Sequence, residues 1–286
     1  MIQLISCYFN YYDNPVRKNN YIKFRKHLNA DIQTVEVALD KNAFFIDDSI
    51  KIIANDQNIL WQKERCFNII LENLPSNVDK IVWLDTDIIF HNSNWLKDIE
   101  KKLDEIPYVQ AFDIVIENHY AYNPCLNCLG HGRALHDYIY YDSKIPKDLA
   151  IGLAWGVHRN LLDQGFFDKH ILGSNDLLQT IAVIGDIFNV SLLENKSKTL
   201  VNSFLDYYKN LNLENGYNIG YIHGTLEHLY HGKTLNRGYN ERAEILKDYN
   251  TNDLEIDTNG LYKLNDEELY RAVQEYMTKR NDYTTR

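Results

Sequence analysis

The stretch Ile81-Val82-Trp83-Leu84-Asp85-Thr86-Asp87-Ile88-Ile89-Phe90 runs four apolar residues straight into Asp-x-Asp. A short apolar run that ends in turn-forming residues reads as a buried strand, so the two carboxylates fall at a strand's C-terminal end. Residues i and i+2 of an extended chain point to the same side. Asp85 and Asp87 are therefore expected to face one direction together. Mg²⁺ and Mn²⁺ take oxygen ligands from one or two carboxylates and fill the remaining positions from substrate phosphates and water. A turn would also favour Asp, but the strand leading directly into the pair argues for a metal and a phosphorylated ligand.

Outward from this stretch, helices and strands alternate. On the N-terminal side, 61–74 has helical spacing, with Phe67, Ile70, Leu71 and Leu74 on one face. Further out lie a strand at 2–9, a helix at about 17–28 and a strand at 34–39. On the C-terminal side, 95–103 reads as a helix and 108–116 as a strand. Such alternation defines an α/β sheet, at least partly parallel, and ligands of these sheets bind outside the carboxyl ends of the strands. The Asp pair lies there. Residues 117–147 are polar, rich in Tyr and His and without periodicity, and read as a long loop. Order returns with a strand over 149–157, a short helix at 159–164 and a helix at about 175–188. The chain is charged from about 246 on and ends in a helix over 266–279, with Leu269, Val273, Tyr276 and Met277 on one face.

Three further groups carry candidate chemistry. In 152–183, Gly152 and Gly156 bracket Trp155, which permits close approach of a ligand to backbone or ring. In the same segment Gly165-Phe166-Phe167-Asp168 is a turn with aromatic anchors. Gly173-Ser174-Asn175-Asp176 then opens a helix, with Ser174 as its expected N-cap. Asp176 falls in the first turn, where an acid complements the helix dipole or serves chemistry. His223, His228 and His231 lie within nine residues, and imidazole suits Mn²⁺-class metals better than Mg²⁺. Cys125-x-x-Cys128 with His131 and His136 has the residue types of a zinc site, but spacings too short for an ordinary finger.

Composition narrows the classes. The chain has 286 residues, 45% of them hydrophobic and 24% charged, so a sizeable core is expected. Its formal net charge is −10, and no Lys/Arg run exceeds two residues, which disfavours nucleic acid as a partner. The 21 Tyr suit sugar binding and cores alike. The N-terminus lacks a basic n-region and no stretch approaches the roughly 20 apolar residues of a membrane span. Cys7 and Cys66 read as buried free thiols. A soluble, cytoplasmic protein is expected.

Taken together, these blocks resemble the GT-A nucleotide-sugar glycosyltransferases, and in the second half their β-1,4-galactosyltransferase-like branch, over roughly residues 1–246. The resemblance implies a GT-A (Rossmann-like) mixed sheet flanked by helices as catalytic domain, with 247–286 as a small C-terminal helical extension packed on it. It makes Asp87 the metal-binding carboxylate with Asp85 alongside, His231 the first further ligand and His228 the second. Asp176 takes the place of the catalytic base. The segment holding Trp155 and Gly156 lines the substrate site, and Lys63 and Arg65 lie near the donor. It also implies Mn²⁺ (or Mg²⁺) and a UDP-sugar donor. The chain departs from the branch in having Asp176 alone after Ser174-Asn175 where an acidic run is usual, and in lacking its anchor and disulfides.

The expected reaction moves a hexose from the nucleotide-sugar to an acceptor hydroxyl, Asp176 taking the proton and a single displacement inverting the anomeric centre. Two rival readings remain. One is a haloacid-dehalogenase-type phosphohydrolase with Asp85 as nucleophile, although Ile89 stands where Thr or Val is usual and the His cluster goes unused. The other is a non-catalytic sugar-binding module of the same fold.

Overall fold

The computed structural model describes residues 1–120, 123–130, 149–184, 197–211, 219–232 and 238–280, with backbone alone at 118–120, 123–130, 149, 184, 239 and 240. Seven strands form the main sheet. They are β1 (Ile2–Phe9), β2 (Gln33–Ala38), β3 (Ile50–Ile53), β4 (Lys80–Leu84), β6 (Tyr108–Gln110), β10 (Ala154–His158) and β11 (Ile219–Tyr221), in the order β11-β6-β10-β4-β1-β2-β3. β3, β2, β1 and β4 run parallel, whereas β10 is antiparallel to both β4 and β6. The sheet is therefore mixed and Rossmann-like at its N-terminal half, and helices flank it as expected for the class.

β1, β2 and β4 are buried on both faces, which is why they read as largely apolar runs. Ile5, Cys7 and Phe9 of β1 and Ile81 and Trp83 of β4 point into one core, under α2 (Lys63–Glu72). Leu4 and Tyr8 of β1, with Val82 and Leu84 of β4, point into the other, under α1 (Pro15–Leu28) and α3 (Trp95–Leu103). α1 starts on Asn14, whose side chain accepts from Val16 N at 2.8 Å, and Pro15 supplies the fixed φ of a first helical residue.

Two segments expected as single strands are divided. The run over 108–116 breaks into β6 and β7 (Ile114–Tyr120), which lie in different sheets. At the break, the Asp113 carboxylate accepts from Gly224 N at 2.9 Å and faces His223 Nδ1 at 2.9 Å. The run over 149–157 divides into β9 (Leu149–Ala150) and β10, with Leu153 between them in the left-handed region at φ 77°. Side-chain hydrogen bonding and backbone strain, both invisible to periodicity, cut these strands where the sheets meet.

The second sheet has the order β5-β12-β7-β8-β9, where β5 is Ile88–Phe90, β8 Asn123–Gly130 and β12 Thr225–His228. The start of the segment expected as a loop over 117–147 thus continues β7 and forms β8. The Cys125, Cys128, His131 and His136 side chains lie outside the described residues. α4 (Asn175–Ile184), α5 (Lys198–Asn210), α6 (Tyr239–Ile245), the hairpin β13 (Leu254–Ile256)–β14 (Tyr262–Leu264) and α7 (Glu267–Lys279) complete the described elements. A third core joins Ile59 and Leu60 before α2, Leu178 and Ile181 of α4, Phe204 of α5, and Val273, Tyr276 and Met277 of α7. The extension therefore carries a hairpin as well as the expected helix, and both pack on the body. Among the described residues no helix is long and apolar enough to cross a membrane.

Candidate functional site

β4 ends at Leu84, and Asp85-Thr86-Asp87 is a turn rather than a strand end. The i, i+2 alternation therefore does not hold across the pair, and the two carboxylates have different neighbours. Asp85 Oδ1 lies 3.1 Å from Lys63 Nζ, on the first turn of α2. Its backbone N–H donates to Leu153 O at 2.7 Å, tying the turn to the strained entry of β10. Asp87 faces two imidazoles instead: His228 Nε2 and His231 Nε2 lie 3.7 and 3.6 Å from its Oδ2.

Strand register brings these groups together. β12 runs antiparallel to β5, with His228 opposite Ile88, and Leu229 N donates to Asp87 O at 2.8 Å. β12 also runs parallel to β7, with His228 opposite Glu117. Glu117 Oε1 then lies 3.6 Å from His228 Nδ1, so the ring is held between two carboxylates. One ligand atom each from Asp87, His228 and His231 lies within 4.8 Å of the other two. That span matches two metal–ligand bonds of roughly 2.1–2.4 Å, and one carboxylate with two imidazoles suits a Mn²⁺-class cation. Asp85 stands outside this trio and holds Lys63.

The charges respond to burial and to one another. Burial works to lower Lys63, but Asp85, Asp176 and Glu64 outweigh it and hold the ammonium above its ordinary value. Burial raises Asp85; Lys63 opposes this, and Asp87 and Asp176 add to it. Burial would also raise Asp87, yet His228 and then His231 hold it well below the usual carboxylate range. Glu64 is pushed up to about 7, chiefly by burial, with Lys63 pulling the other way. Its Oε2 accepts from Asn175 Nδ2 at 2.9 Å, which connects α2 to the start of α4.

Asp176 lies in the first turn of α4, its Oδ1 accepting from Leu177 N at 2.9 Å. A Cβ placed on Gly152 would stand 2.5 Å from Asp176 Oδ2 and 3.9 Å from Asp85 Oδ2. The two carboxylates thus converge over one glycine. Ser174 stands at the expected N-cap position, its carbonyl accepting from Leu178 N at 3.3 Å; its backbone is left-handed at φ 76°, and its hydroxyl accepts from Arg242 Nη1 at 3.4 Å. The two non-glycine residues in this conformation beside the site, Leu153 and Ser174, cost about 1–2 kcal/mol each.

Two cavities meet here. One, of about 100 Å³, is lined by Tyr8, Phe9, Arg17, Asn20 and Asp87 among others. The second, of about 400 Å³, is lined by Glu117, Gly152, Ser174, Asp176, His228 and Arg242 among others. Trp61, Lys63, Asp85, His231 and Arg280 line both and form the wall between them.

Three expected site residues lie elsewhere. Trp155 is fully buried, with Nε1 donating to Ile151 O at 2.7 Å and its ring 4.7 Å from that of Tyr108. Gly156 packs against α3, where a Cβ would come within 2.8 Å of Ile99 Cδ1. Alternation along β10 sends one into each core, below the rim that holds the site. Arg65 points away from Lys63 on α2: its Nε donates to Gly260 O at 2.8 Å, and its Nη1 lies 3.2 Å from Glu72 Oε1. His223 also stands apart, its side chain 83% exposed beside Asp113. Sequence reading missed Glu117, Arg242, Arg280, Arg17 and Trp61. The β7–β12 pairing that brings Glu117 in has no local signature, and Arg280 arrives through long-range packing. Trp61 and Arg17 stood in or beside expected helices, with nothing local to mark them. Cys7 and Cys66 are buried free thiols.

No family model matches the chain, and no curated protein matches it. Comparison with solved structures finds distant likenesses. A mannosyltransferase from Pyrobaculum calidifontis, in complex with GDP-Man and Mn2+, is 13% identical over 64% of this chain and 52% of its own, with a TM-score of 0.37. TarS of S. aureus (1–349) is 11% identical over 99% of this chain and 72% of its own, with a TM-score of 0.39. A glycosyltransferase involved in the glycosylation of the major capsid of PBCV-1 is 11% identical over 97% and 98%, with a TM-score of 0.31. The chain spans about half the length of the first of these. Likenesses at these scores carry no argument about function, which rests on the site itself.

Proposed function

We propose that the protein is a metal-dependent glycosyltransferase that moves a hexose from a nucleotide-sugar, a UDP-sugar in the first instance, to a hydroxyl acceptor with inversion. The observation that carries this reading is the placement of a cation-ligand trio, Asp87, His228 and His231, beside a wall shared by two cavities, with Asp176 on the second cavity. A transferase with two substrates needs donor and acceptor held together at the reacting bond, and groups that line both cavities can serve that meeting point.

Asp87, His228 and His231 would hold a Mn²⁺-class cation, which when bound supplies positive charge to a diphosphate leaving group. The chain's own groups do the rest. Lys63, kept protonated by its carboxylates, orients Asp85 and adds positive charge to the wall. Asp176, across Gly152 from Asp85, accepts the proton of the acceptor hydroxyl. The acceptor oxygen forms its bond to the sugar C1 as the bond from C1 to the phosphate oxygen breaks. The electron pair leaves with the nucleoside diphosphate. One displacement at C1 inverts it.

Isothermal titration of UDP, with and without Mn²⁺, on the native protein and on Asp87→Ala tests the donor half. Binding that needs Mn²⁺ and disappears in the variant is the expected result. Failure of UDP and other nucleoside diphosphates to bind with Mn²⁺ present overturns the reading.

A further inference from the structure

We propose that Arg280, at the end of α7, is a binding residue for the diphosphate of the donor. The inference rests on the transferase reading above and adds to it a residue from outside the expected catalytic domain. Arg280 is 9% exposed, and its guanidinium carbon lies 4.4 Å from the centroid of the Trp61 ring. Its backbone N–H still donates to Tyr276 O at 2.8 Å, so the residue is fixed to the helix end. α7 is itself anchored by Val273, Tyr276 and Met277 in the third core.

The wall between the cavities explains why a cation is needed there. Asp85 lies on it, Asp87 lines the first cavity, and Glu64, Glu117 and Asp176 line the second. This local excess of carboxylate, in a chain of net charge −10, repels a diphosphate. Among the described residues two cationic side chains besides the imidazole of His231 line both cavities, Lys63 and Arg280. Arg17 lines the first cavity and Arg242 the second. Arg280 therefore stands where a leaving diphosphate would gain charge. A guanidinium over an indole face is partly desolvated, which strengthens its attraction for phosphate oxygens. Its fork geometry favours Arg over Lys for phosphate.

The test measures binding of UDP, pyrophosphate and uridine to the native protein, Arg280→Gln and Arg280→Lys, each with Mn²⁺. Loss of a charge-assisted pair predicts that Arg280→Gln weakens UDP and pyrophosphate by about 10- to 100-fold. Uridine and Mn²⁺ affinities are expected to stay as in the native protein, because neither involves this group. Arg280→Lys keeps the charge and the helix end, so it folds and loses several-fold. A folded Arg280→Gln or Arg280→Lys that binds UDP and pyrophosphate as tightly as the native protein overturns the proposal and leaves the transferase reading intact. A native protein that binds no nucleoside diphosphate with Mn²⁺ overturns both.

Discussion

Glu64 shows how much a single buried charge can be made to report. Burial pushes its carboxyl from 4.5 up to about 7, with Lys63 opposing and Asp176 reinforcing the shift. Because the folded value lies above the unfolded one, its contribution to stability is full below about pH 4.5 and is lost as pH rises to about 7. Urea unfolding from pH 4.5 to 8 should therefore show the native protein losing roughly 3 kcal/mol relative to Glu64→Gln, which keeps an acceptor for Asn175. A pH-independent difference between the two would remove Glu64 as the cause. Asp176 makes a kinetic prediction. Asp176→Asn should lower kcat by about 10²- to 10⁴-fold while UDP binding with Mn²⁺ stays within twofold, as read by initial rates and titration. For Glu117 the readout is the cation alone. It orients His228 from the side opposite Asp87, so Glu117→Gln should weaken Mn²⁺ roughly 10-fold, measured by titrating metal into the protein without nucleotide.

At the scale of elements, the region around β10 separates activity from stability at two glycines. A methyl at Gly152 meets Asp176 Oδ2 at 2.5 Å, a flexible polar end on the rim of the site. At Gly156 it meets Ile99 at 2.8 Å and Leu103 at 3.0 Å, both deep in a core. Gly152→Ala should thus cut turnover at least ~10-fold through misplacement of the carboxylate, with the midpoint of unfolding little changed. Gly156→Ala should cost about 1–3 kcal/mol by overpacking, in a chemical-denaturation curve, with kcat retained by the folded fraction. The same elements show what was legible in advance. β1, β4, α2, α3 and α7 carry their own periodicity and lie where it placed them. That Asp87, His228 and His231 would come together could be read from residue type, because few other side chains suit a divalent cation. The breaks at Asp113 and Leu153 were not legible, since one depends on a carboxylate bonding Gly224 and the other on strain at φ 77°. Trp155 and Gly156 were misplaced for a related reason. A Gly-Trp-Gly pattern marks close approach, but it does not say whether a ligand or a helix does the approaching.

Across the whole molecule, the third core binds residues from Ile59 to Met277 into one body, and the β13–β14 hairpin clamps the start of α2. Gln62 Nε2 donates to Tyr262 O at 2.8 Å, and Asn58 Nδ2 to the same oxygen at 3.1 Å. Unfolding should then be a single transition seen alike by tryptophan fluorescence and far-ultraviolet circular dichroism. Val273→Asp, burying a charge in that core, should lower the whole transition by several kcal/mol instead of detaching α7 from an intact remainder. Separate transitions by the two probes would contradict this. The wall between the cavities has a consequence of its own. Its residues are spread from Trp61 to Arg280, so their order of appearance during synthesis matters. A nascent chain that has passed His231 holds the residues of the trio, but it has neither Arg280 at the wall nor the part of the third core that α7 supplies. A product terminated before α7 is therefore expected to stay unfolded and to form neither cavity.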